Sequence, residues 1–127
     1  MKDYLKSSNQ ARCMELYASV LRRLTEGKRY LSSNVTAEQL AHEMECTPRQ
    51  LSAAVQIGSG KNFSALINGL RLKEVCRRMS SLRYKSQTVE EIGLGCGFKS
   101  RQAFYVAFEK QMEQTPLQWR EQHMRKC

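Results

Sequence analysis

The residues of this sequence that most resemble a ligand-binding motif lie in the segment GLGCGFKSRQAF, which begins at Gly93 and ends at Phe104. Alternating glycines followed by a lysine and a serine are typical of loops that bind nucleotide phosphates. Such a loop requires a preceding β-strand and, in its lysine-dependent form, four residues between the first glycine and a Gly-Lys-Ser/Thr sequence. Neither feature is present, so a nucleotide-binding enzyme is disfavoured. Gly97 is instead expected to end a helix in the left-handed conformation, with Phe98 entering the core.

The cysteines and histidines do not have the spacing of a metal or catalytic site. There is no Cys-x-x-Cys pair, and neither His42 nor His123 has an acid, a cysteine or a second histidine at catalytic spacing. Paired carboxylates and an activated nucleophile are also missing from the pattern. We therefore expect no enzyme activity, no metal and no cofactor. An odd number of cysteines without a signal peptide favours free thiols in a reducing cytoplasm: Cys13, Cys46, Cys76, Cys96 and Cys127.

The charge of the chain points to a polyanionic partner. Lys and Arg number 21 against 12 Asp and Glu, which gives a formal charge of +9 and a pI of about 9.6. Residues 71–127 carry 12 basic and 6 acidic side chains, whereas residues 1–70 carry 9 and 6. The C-terminal half is therefore the better candidate for a nucleic-acid contact. No apolar run is long enough to span a bilayer, so no membrane contact is expected from this segment.

Capping signals divide the chain into short helices. Thr47-Pro48-Arg49-Gln50 and Thr115-Pro116-Leu117-Gln118 each place a threonine cap before a proline at the first helical position, with a glutamine that can bond back to the cap. Apolar residues recur at helical spacing, and no convincing strand is found. The sequence predicts an all-α fold of about seven helices, near residues 10–26, 37–45, 48–57, 63–82, 89–96, 101–112 and 116–125.

A repeat relates the two halves of the chain. Thr36-x-Glu38-x-Leu40 recurs 52 residues later as Thr88-x-Glu90-x-Ile92, whereas Leu51 and Phe104 are 53 residues apart. The second turn therefore contains one additional residue. Two short helices joined by a tight turn, used twice and connected by a long helix, form a tandem helix-turn-helix pattern.

Several motifs in this repeat resemble a known family. The segment GFKSRQAFYVAFEKQMEQTPLQW, residues 97–119, is similar to the C-terminal signature of AraC/XylS-type transcriptional regulators. The segment LAHEMECTPRQLSAAV and the later phrase NGLRL resemble the first half of the same domain. The resemblance covers residues 28–122 and implies two DNA-binding subdomains bridged by one helix.

The resemblance also implies a division of the chain into four parts. Residues 1–27 are expected to be a helical extension or linker from an upstream domain, followed by a first helix-turn-helix subdomain over 28–62. A linker helix would occupy residues 63–82, and a second subdomain would occupy residues 83–127. A sensor or dimerisation domain would then lie upstream in a longer protein.

The expected base contacts lie on the exposed faces of the second helix of each subdomain. Arg101 can bond a guanine edge through two donors, Gln102 can pair with adenine, and Tyr105 can reach a base, a methyl group or a phosphate. In the first subdomain the resemblance assigns outward positions at 49, 52 and 53. The candidates there are Arg49, Gln50 and Ser52.

Phosphate contacts are expected to fix the orientation of both subdomains on DNA. Helix starts and nearby lysines supply them: Thr36, Lys61, Lys85, Thr88 and Lys99. We therefore predict a sequence-specific double-stranded DNA-binding domain that inserts two recognition helices into successive major grooves. Exposed apolar residues at Ala53 and Val106 leave open a helical protein-interaction domain with weakened DNA reading.

Overall fold

The structure is a computed structural model that describes residues 2–124, with side chains described from residue 9 onward. Within this range the chain forms seven α-helices and no strand, which confirms the predicted all-α class. The helices are α1 (Lys2–Thr25), α2 (Ala37–Glu43), α3 (Pro48–Ser59), α4 (Phe63–Met79), α5 (Val89–Gly95), α6 (Arg101–Met112) and α7 (Pro116–His123).

Two helices differ from their predicted bounds by three residues or more, and the other bounds agree within two residues. The first begins at Lys2 rather than at residue 10, because the apolar periodicity used to predict it starts only at Cys13. The fourth ends at Met79 rather than at residue 82. The Ser80 hydroxyl donates to the carbonyl of Cys76 over 3.0 Å, which is a bond that competes with helix continuation. Residue 125, where the seventh helix was predicted to end, and Cys127 lie outside the described residues.

Two short 3-10 segments were not predicted. One spans Glu26–Leu31 and is irregular, because Gly27 and Lys28 have positive φ angles of 67° and 54°. The other spans Leu82–Tyr84 and follows the end of α4. Both are too short to have a periodic sequence signal.

Capping interactions begin the helices as the sequence predicts. The Thr47 hydroxyl accepts from the Gln50 amide over 3.0 Å, and the Gln50 side chain accepts from the Thr47 amide over 2.9 Å. Thr115 and Gln118 form the same reciprocal pair at the start of α7. At Thr36 only the first of the two bonds forms, from the Gln39 amide over 3.1 Å.

The described residues pack as two compact units. The first comprises residues 2–29 and 35–67 and contains α1, α2 and α3. Helix α1 packs against α3, and Gly58 makes this approach possible because a Cβ atom there would lie 2.2 Å from the Tyr17 ring. The helix predicted as an extension is therefore part of this unit. Its buried apolar residues are Val20, Leu24, Leu40, Ala41, Leu51, Ala54, Val55, Leu66 and Ile67.

The second unit comprises residues 30–34 and 68–124 and contains α5, α6 and α7. Its core is aromatic: the Phe104 ring lies 5.5 Å from Phe98 and 5.9 Å from Phe108 between centroids. Phe98 is buried, as predicted from its position after Gly97. Apolar residues from α4 and α5 surround these rings, namely Leu72, Val75, Met79, Val89 and Ile92.

The predicted helix-turn-helix repeat is present in both units. Helices α2 and α5 each have 7 residues, and helices α3 and α6 each have 12. Glu45 in the first turn and Gly97 in the second both have positive φ angles, of 55° and 103°. The additional residue follows Gly97, so the sequence offset changes from 52 to 53 as predicted. Helix α4 connects the two units.

Candidate DNA-binding surfaces

Helix α6 presents a polar N-terminal face because its opposite face is fixed in the core. Phe104 and Phe108 are fully buried. Ser100 caps the helix by accepting from the Ala103 amide over 3.0 Å. Arg101 and Gln102 are exposed at the first two helical positions. Their side chains are therefore free to approach a ligand from the N-terminal end of α6.

Tyr105 differs from Arg101 and Gln102 in that its side chain already has a partner. It is half-buried, and its hydroxyl forms a hydrogen bond with the Glu90 carboxylate near the start of α5. This hydrogen bond lowers the pKa of Glu90, and the nearby positive charge of Arg101 lowers it further. The same hydrogen bond raises the pKa of Tyr105. The hydroxyl therefore already has a partner before any DNA is bound.

A shallow groove runs beside the exposed face of α6. Its volume is about 530 Å³, and its lining includes both polar side chains and the exposed apolar residue Val106. Val106 follows Gln102 by four residues, so the two side chains share one face of the helix. The lining residues are Asn68, Ser100, Gln102, Ala103, Val106, Ala107 and Lys110. Such a surface can offer hydrogen bonds and an apolar contact side by side.

Helix α3 presents a smaller set of side chains. Leu51 and Val55 are fully buried, and Arg49, Ser52 and Ala53 are exposed. The Gln50 side-chain oxygen is occupied by the bond to the Thr47 amide, so only its NH₂ group remains for another contact. Arg49 is the only candidate on this face with a charge.

The expected phosphate contacts have different environments. Lys61, Lys85 and Lys99 are exposed. The amide of Thr88, in contrast, donates to the Glu91 carboxylate over 2.7 Å, and its hydroxyl accepts from the Glu91 amide over 3.0 Å. Thr36 is exposed and uses its hydroxyl as a cap. The lysines are therefore better placed to meet an anion than the start of α5.

Two buried arginines hold loops of the second unit. Arg120 donates to the carbonyls of Gln87 over 2.6 Å and Tyr84 over 2.9 Å, and so fixes the segment that carries Lys85. The sequence did not identify Arg120, because its partners are backbone carbonyls more than 30 residues away. The Nε atom of Arg120 is buried without a hydrogen-bond partner in the described part of the chain.

The hydrogen bonds of Arg71, the second of these arginines, lie within the second unit. It donates to the carbonyls of Tyr30 and Ser32, each over 2.7 Å. These bonds fix residues 30–34 against the start of the second unit's core. Burial lowers the pKa of the Arg71 guanidinium.

The environments of two buried cysteines and of both histidines do not favour reactivity. Burial raises the pKa values of Cys76 and Cys96 to about 11, so both remain thiols. His42 is exposed, and His123 stacks on Trp119 with ring centroids 3.9 Å apart. Among residues 9–124, whose side chains are described, no group of three potential ligands is close enough to hold a metal ion. No helix within residues 2–124 combines the length and apolar character needed to cross a membrane.

Two short helix pairs with a tight turn, each exposing the N-terminal face of its second helix, define a tandem helix-turn-helix protein. Residues 40–122 match the model of the family described as "Helix-turn-helix domain". The chain belongs to this family, and specifically to its AraC-type members. It is a DNA-binding domain of a bacterial transcription regulator.

Curated relatives and solved structures agree with this assignment. The chain is 26% identical over 90 residues to the HTH-type transcriptional activator RhaR of Enterobacter sp., a match that covers 71% of this chain and 31% of the relative. The chain thus spans about a third of the length of the curated relatives it matches. RhaR of an Escherichia coli strain gives the same identity and coverage.

Similar folds occur in solved structures at low sequence identity. The C-terminal domain of AraT, a response regulator from Geobacillus stearothermophilus, superposes with a TM-score of 0.70 at 22% identity, over 93% of this chain and 88% of that one. An AraC-type transcriptional regulator from Chromobacterium violaceum gives a TM-score of 0.68 at 19% identity, over 94% and 99%. These matches support the tandem helix-turn-helix fold.

Proposed function

We propose that this domain binds double-stranded DNA sequence-specifically by inserting α3 and α6 into successive major grooves. The observation that carries the proposal is the common register of the two helices. Leu51 and Val55 in α3 and Phe104 and Phe108 in α6 are all fully buried, so both helices turn their N-terminal polar side chains to solvent. A recognition helix needs this arrangement, with base-reading residues near its N-terminus. The net charge of +9 favours a DNA polyanion as the partner.

The second unit supplies the larger share of the proposed base contacts. Arg101 bonds a guanine edge with two donors, and Gln102 bonds an adenine. Val106, on the same face as Gln102, packs against a thymine methyl group. Tyr105 contributes its ring, since its hydroxyl is bonded to Glu90. In the first unit the corresponding contacts come from Arg49, Ser52 and the Gln50 amide group.

The proposed phosphate contacts fix the position and orientation of the domain on the duplex. Exposed Lys61, Lys85 and Lys99 bind phosphate oxygens, and the helix starts at Thr36 and Thr88 supply further phosphate contacts. The loop bearing Lys85 is held by Arg120, which limits the freedom of that lysine. Such contacts set affinity and orientation without reading sequence.

We also propose that the domain is the DNA-binding part of a longer cytoplasmic regulator. The RhaR relatives are activators of which this chain matches about a third, 31% of the length. The AraT neighbour is the C-terminal domain of a response regulator. A sensor or dimerisation domain that controls DNA binding is the partner expected on this basis.

Selection from a randomised duplex pool tests sequence-specific binding. The proposal predicts enrichment of one asymmetric motif with two conserved segments about one helical turn apart. Enrichment of no motif, or of a single conserved segment, would contradict it. Binding should weaken steeply with salt, with a slope of roughly −0.9 per phosphate neutralised.

Lys99→Ala refines this test, and Lys73→Ala is the matched control because Lys73 is exposed on α4 and outside the proposed contacts. Lys99→Ala should flatten the salt slope by about one contact while leaving the selected motif unchanged. The control should leave the slope close to that of the parent. A flat salt response in the parent would exclude phosphate-anchored binding.

The exposed apolar side chain of Val106 favours a second candidate, a helical protein-interaction domain with weakened DNA reading. Val106 is 61% exposed in the middle of α6. Under this alternative, Val106→Ser would weaken a protein complex and leave duplex binding unchanged. Under the DNA proposal, the same change lowers affinity only for duplexes with thymine at one position.

A further inference from the structure

We propose that Glu90 is a positioning residue that holds Tyr105 on the recognition face of α6 and thereby sets how strictly the second unit reads sequence. The inference rests on the proposed function, since it requires α6 to contact base pairs. Glu90 is the second residue of α5, and Tyr105 is the fifth residue of α6. The Glu90–Tyr105 hydrogen bond therefore ties the two helices of the motif together at their N-terminal ends.

The side chains are restrained at both ends of this bond. The Tyr105 ring lies 5.6 Å from the Phe104 ring between centroids, and Phe104 is fully buried. Tyr105 and Glu90 are themselves half-buried. A ring packed on one side and bonded through its hydroxyl keeps one orientation, which lowers the entropy cost of using it in a complex.

The bond also changes what Tyr105 can do on DNA. A tyrosine hydroxyl has a single proton, and while the proton is shared with Glu90 the hydroxyl cannot donate to a base. The Glu90 carboxylate cannot bind a phosphate oxygen, because neither group has a proton to donate and both are anionic. Glu90 therefore acts through Tyr105 rather than by touching DNA. The ring of Tyr105 remains available for a base edge or a methyl group.

Helix formation alone does not require Glu90. The start of α5 is already capped by the reciprocal Thr88–Glu91 pair, which uses the neighbouring glutamate. The first unit has Glu38 at the position equivalent to Glu90 and Ser52 at the position equivalent to Tyr105. Glu38 is exposed, and its side chain makes no hydrogen bond within the described part of the chain. The tether is thus a specific feature of the second unit.

Four variants test the inference: Glu90→Ala, Glu90→Gln, Tyr105→Phe and the Glu90→Ala/Tyr105→Phe double variant. The measurement is affinity for the selected duplex and for each singly substituted duplex, with circular dichroism to verify helix content. Glu90→Ala and Tyr105→Phe should each reduce discrimination at the same one or two base pairs, by about tenfold. The double variant should lose no more than either single change, because both remove one shared interaction.

Glu90→Gln separates the hydrogen bond from the negative charge. Its amide oxygen still accepts from the Tyr105 hydroxyl, so discrimination should recover to within about threefold of the parent. Loss of the carboxylate should strengthen binding to all duplexes alike in both Glu90 variants, as in the matched control Glu38→Ala. The control should leave discrimination unchanged.

Three results would overturn the inference. Glu90 and Tyr105 would act separately if Glu90→Ala left discrimination intact. The same conclusion would follow if the losses in Glu90→Ala and Tyr105→Phe multiplied in the double variant. Glu90→Gln with the full loss seen in Glu90→Ala would assign the effect to charge rather than to positioning. A parent with no sequence preference would overturn the proposed function as well, which distinguishes that failure from the other three.

Discussion

The two helix-turn-helix units have the same two left-handed backbone positions, but glycine and glutamate occupy them in opposite order. In the turn between the paired helices, the first unit has Glu45 with φ of 55° and the second has Gly97 with φ of 103°. At the end of the recognition helix the order reverses, with Gly60 at 74° and Glu113 at 58°. Glycine at position 97 is required by the lack of space as well as by the dihedral angle, whereas at position 60 only the dihedral angle favours it.

The exposed side chains of the two units differ more than their backbones do. The accessible face of α3 has one charged residue, Arg49, beside the small residue Ala53. The face of α6 has Arg101 at its start and a tyrosine held in place by Glu90. We therefore expect the second unit to read sequence more strictly than the first.

The largest effect should come from adding a methyl group at Gly97. Its Cβ would lie 2.7 Å from Arg71 Nε and 2.8 Å from the Leu31 carbonyl oxygen, and the backbone oxygen cannot easily move. Gly97→Ala should lower the free energy of unfolding by about 2–5 kcal/mol, since overpacking adds to left-handed strain. At Gly60 no atom lies within 4 Å, so Gly60→Ala should cost about 1 kcal/mol or less. Urea titration followed by circular dichroism measures both, and equal losses would show that space at Gly97 is unimportant.

Acid should destabilise the second unit through Glu74. Its carboxylate is 5% exposed and accepts from Arg77 and Arg78, and these bonds lower its pKa to about 2. Because the folded pKa is below the unfolded value of 4.5, the contribution is fully present above pH 4.5 and is lost as the pH falls towards 2. The expected loss is about 3 kcal/mol.

Glu74→Gln is the control for this pH dependence. The variant should be less stable than the parent at pH 7, and the difference should shrink as the pH falls from 4.5 towards 2. The first unit offers a contrast in Glu43, which bonds Arg29 near the surface. Glu43→Gln should change the acid response less than Glu74→Gln, and the opposite order would contradict the burial argument.

The residues at the close contact between α5 and α6 can be replaced by the residue types that the first unit has at the equivalent positions. A Cβ at Gly93 would lie 2.5 Å from the Phe104 ring, whereas the first unit has Ala41 and Leu51 at the equivalent positions. Gly93→Ala should cost about 1–3 kcal/mol through overpacking. Adding Phe104→Leu reproduces the pair of the first unit and should make Gly93→Ala less costly than it is beside phenylalanine. A double-mutant cycle in urea measures this coupling, and strict additivity would contradict it.

The smallest effect on stability is expected when a glutamate in the left-handed conformation is replaced by glycine. A non-glycine residue in this conformation costs about 1–2 kcal/mol, while glycine adds roughly 0.5–1 kcal/mol of unfolded-chain entropy. Glu45→Gly and Glu113→Gly should therefore each stabilise the protein by about 0.5 kcal/mol. Thermal unfolding with replicate measurements can resolve this gain, and a loss of stability would mean that the glutamate side chains make favourable contacts of their own.

Many helix starts, buried positions and turns could be predicted because the sequence patterns that specify them are local. Threonine caps followed by proline mark the starts of α3 and α7, and the repeat identifies the buried positions in α3 and α6. The left-handed turn at Gly97 and the burial of Phe98 were also predicted correctly. The caps and the turn depend on residues fewer than about five positions apart in the sequence, and the repeat compares two such local patterns.

The features that escaped prediction depend on distant residues. Arg120 bonds carbonyls more than 30 positions away, and Tyr105 bonds Glu90 across a turn. Gly58 had no recognised role until its contact with Tyr17 in α1 was visible. Helical periodicity indicates which face of a helix is exposed, but it does not indicate which exposed side chain has a partner. The base-reading and phosphate-binding assignments accordingly remain predictions.

The affinities of the Arg101→Ala and Arg49→Ala variants for the selected duplex and for every singly substituted duplex decide whether Arg101 reads a base pair. Arg101→Ala should cost about 1–3 kcal/mol on the preferred site and relax the preference at one base pair. Arg49→Ala should cost less, and circular dichroism should be unchanged for both, since both side chains are exposed. If Arg101→Ala instead weakens binding to every duplex equally, Arg101 is a phosphate contact. If Arg49→Ala is the more damaging change, the first unit is the stricter reader and the proposed ranking is wrong.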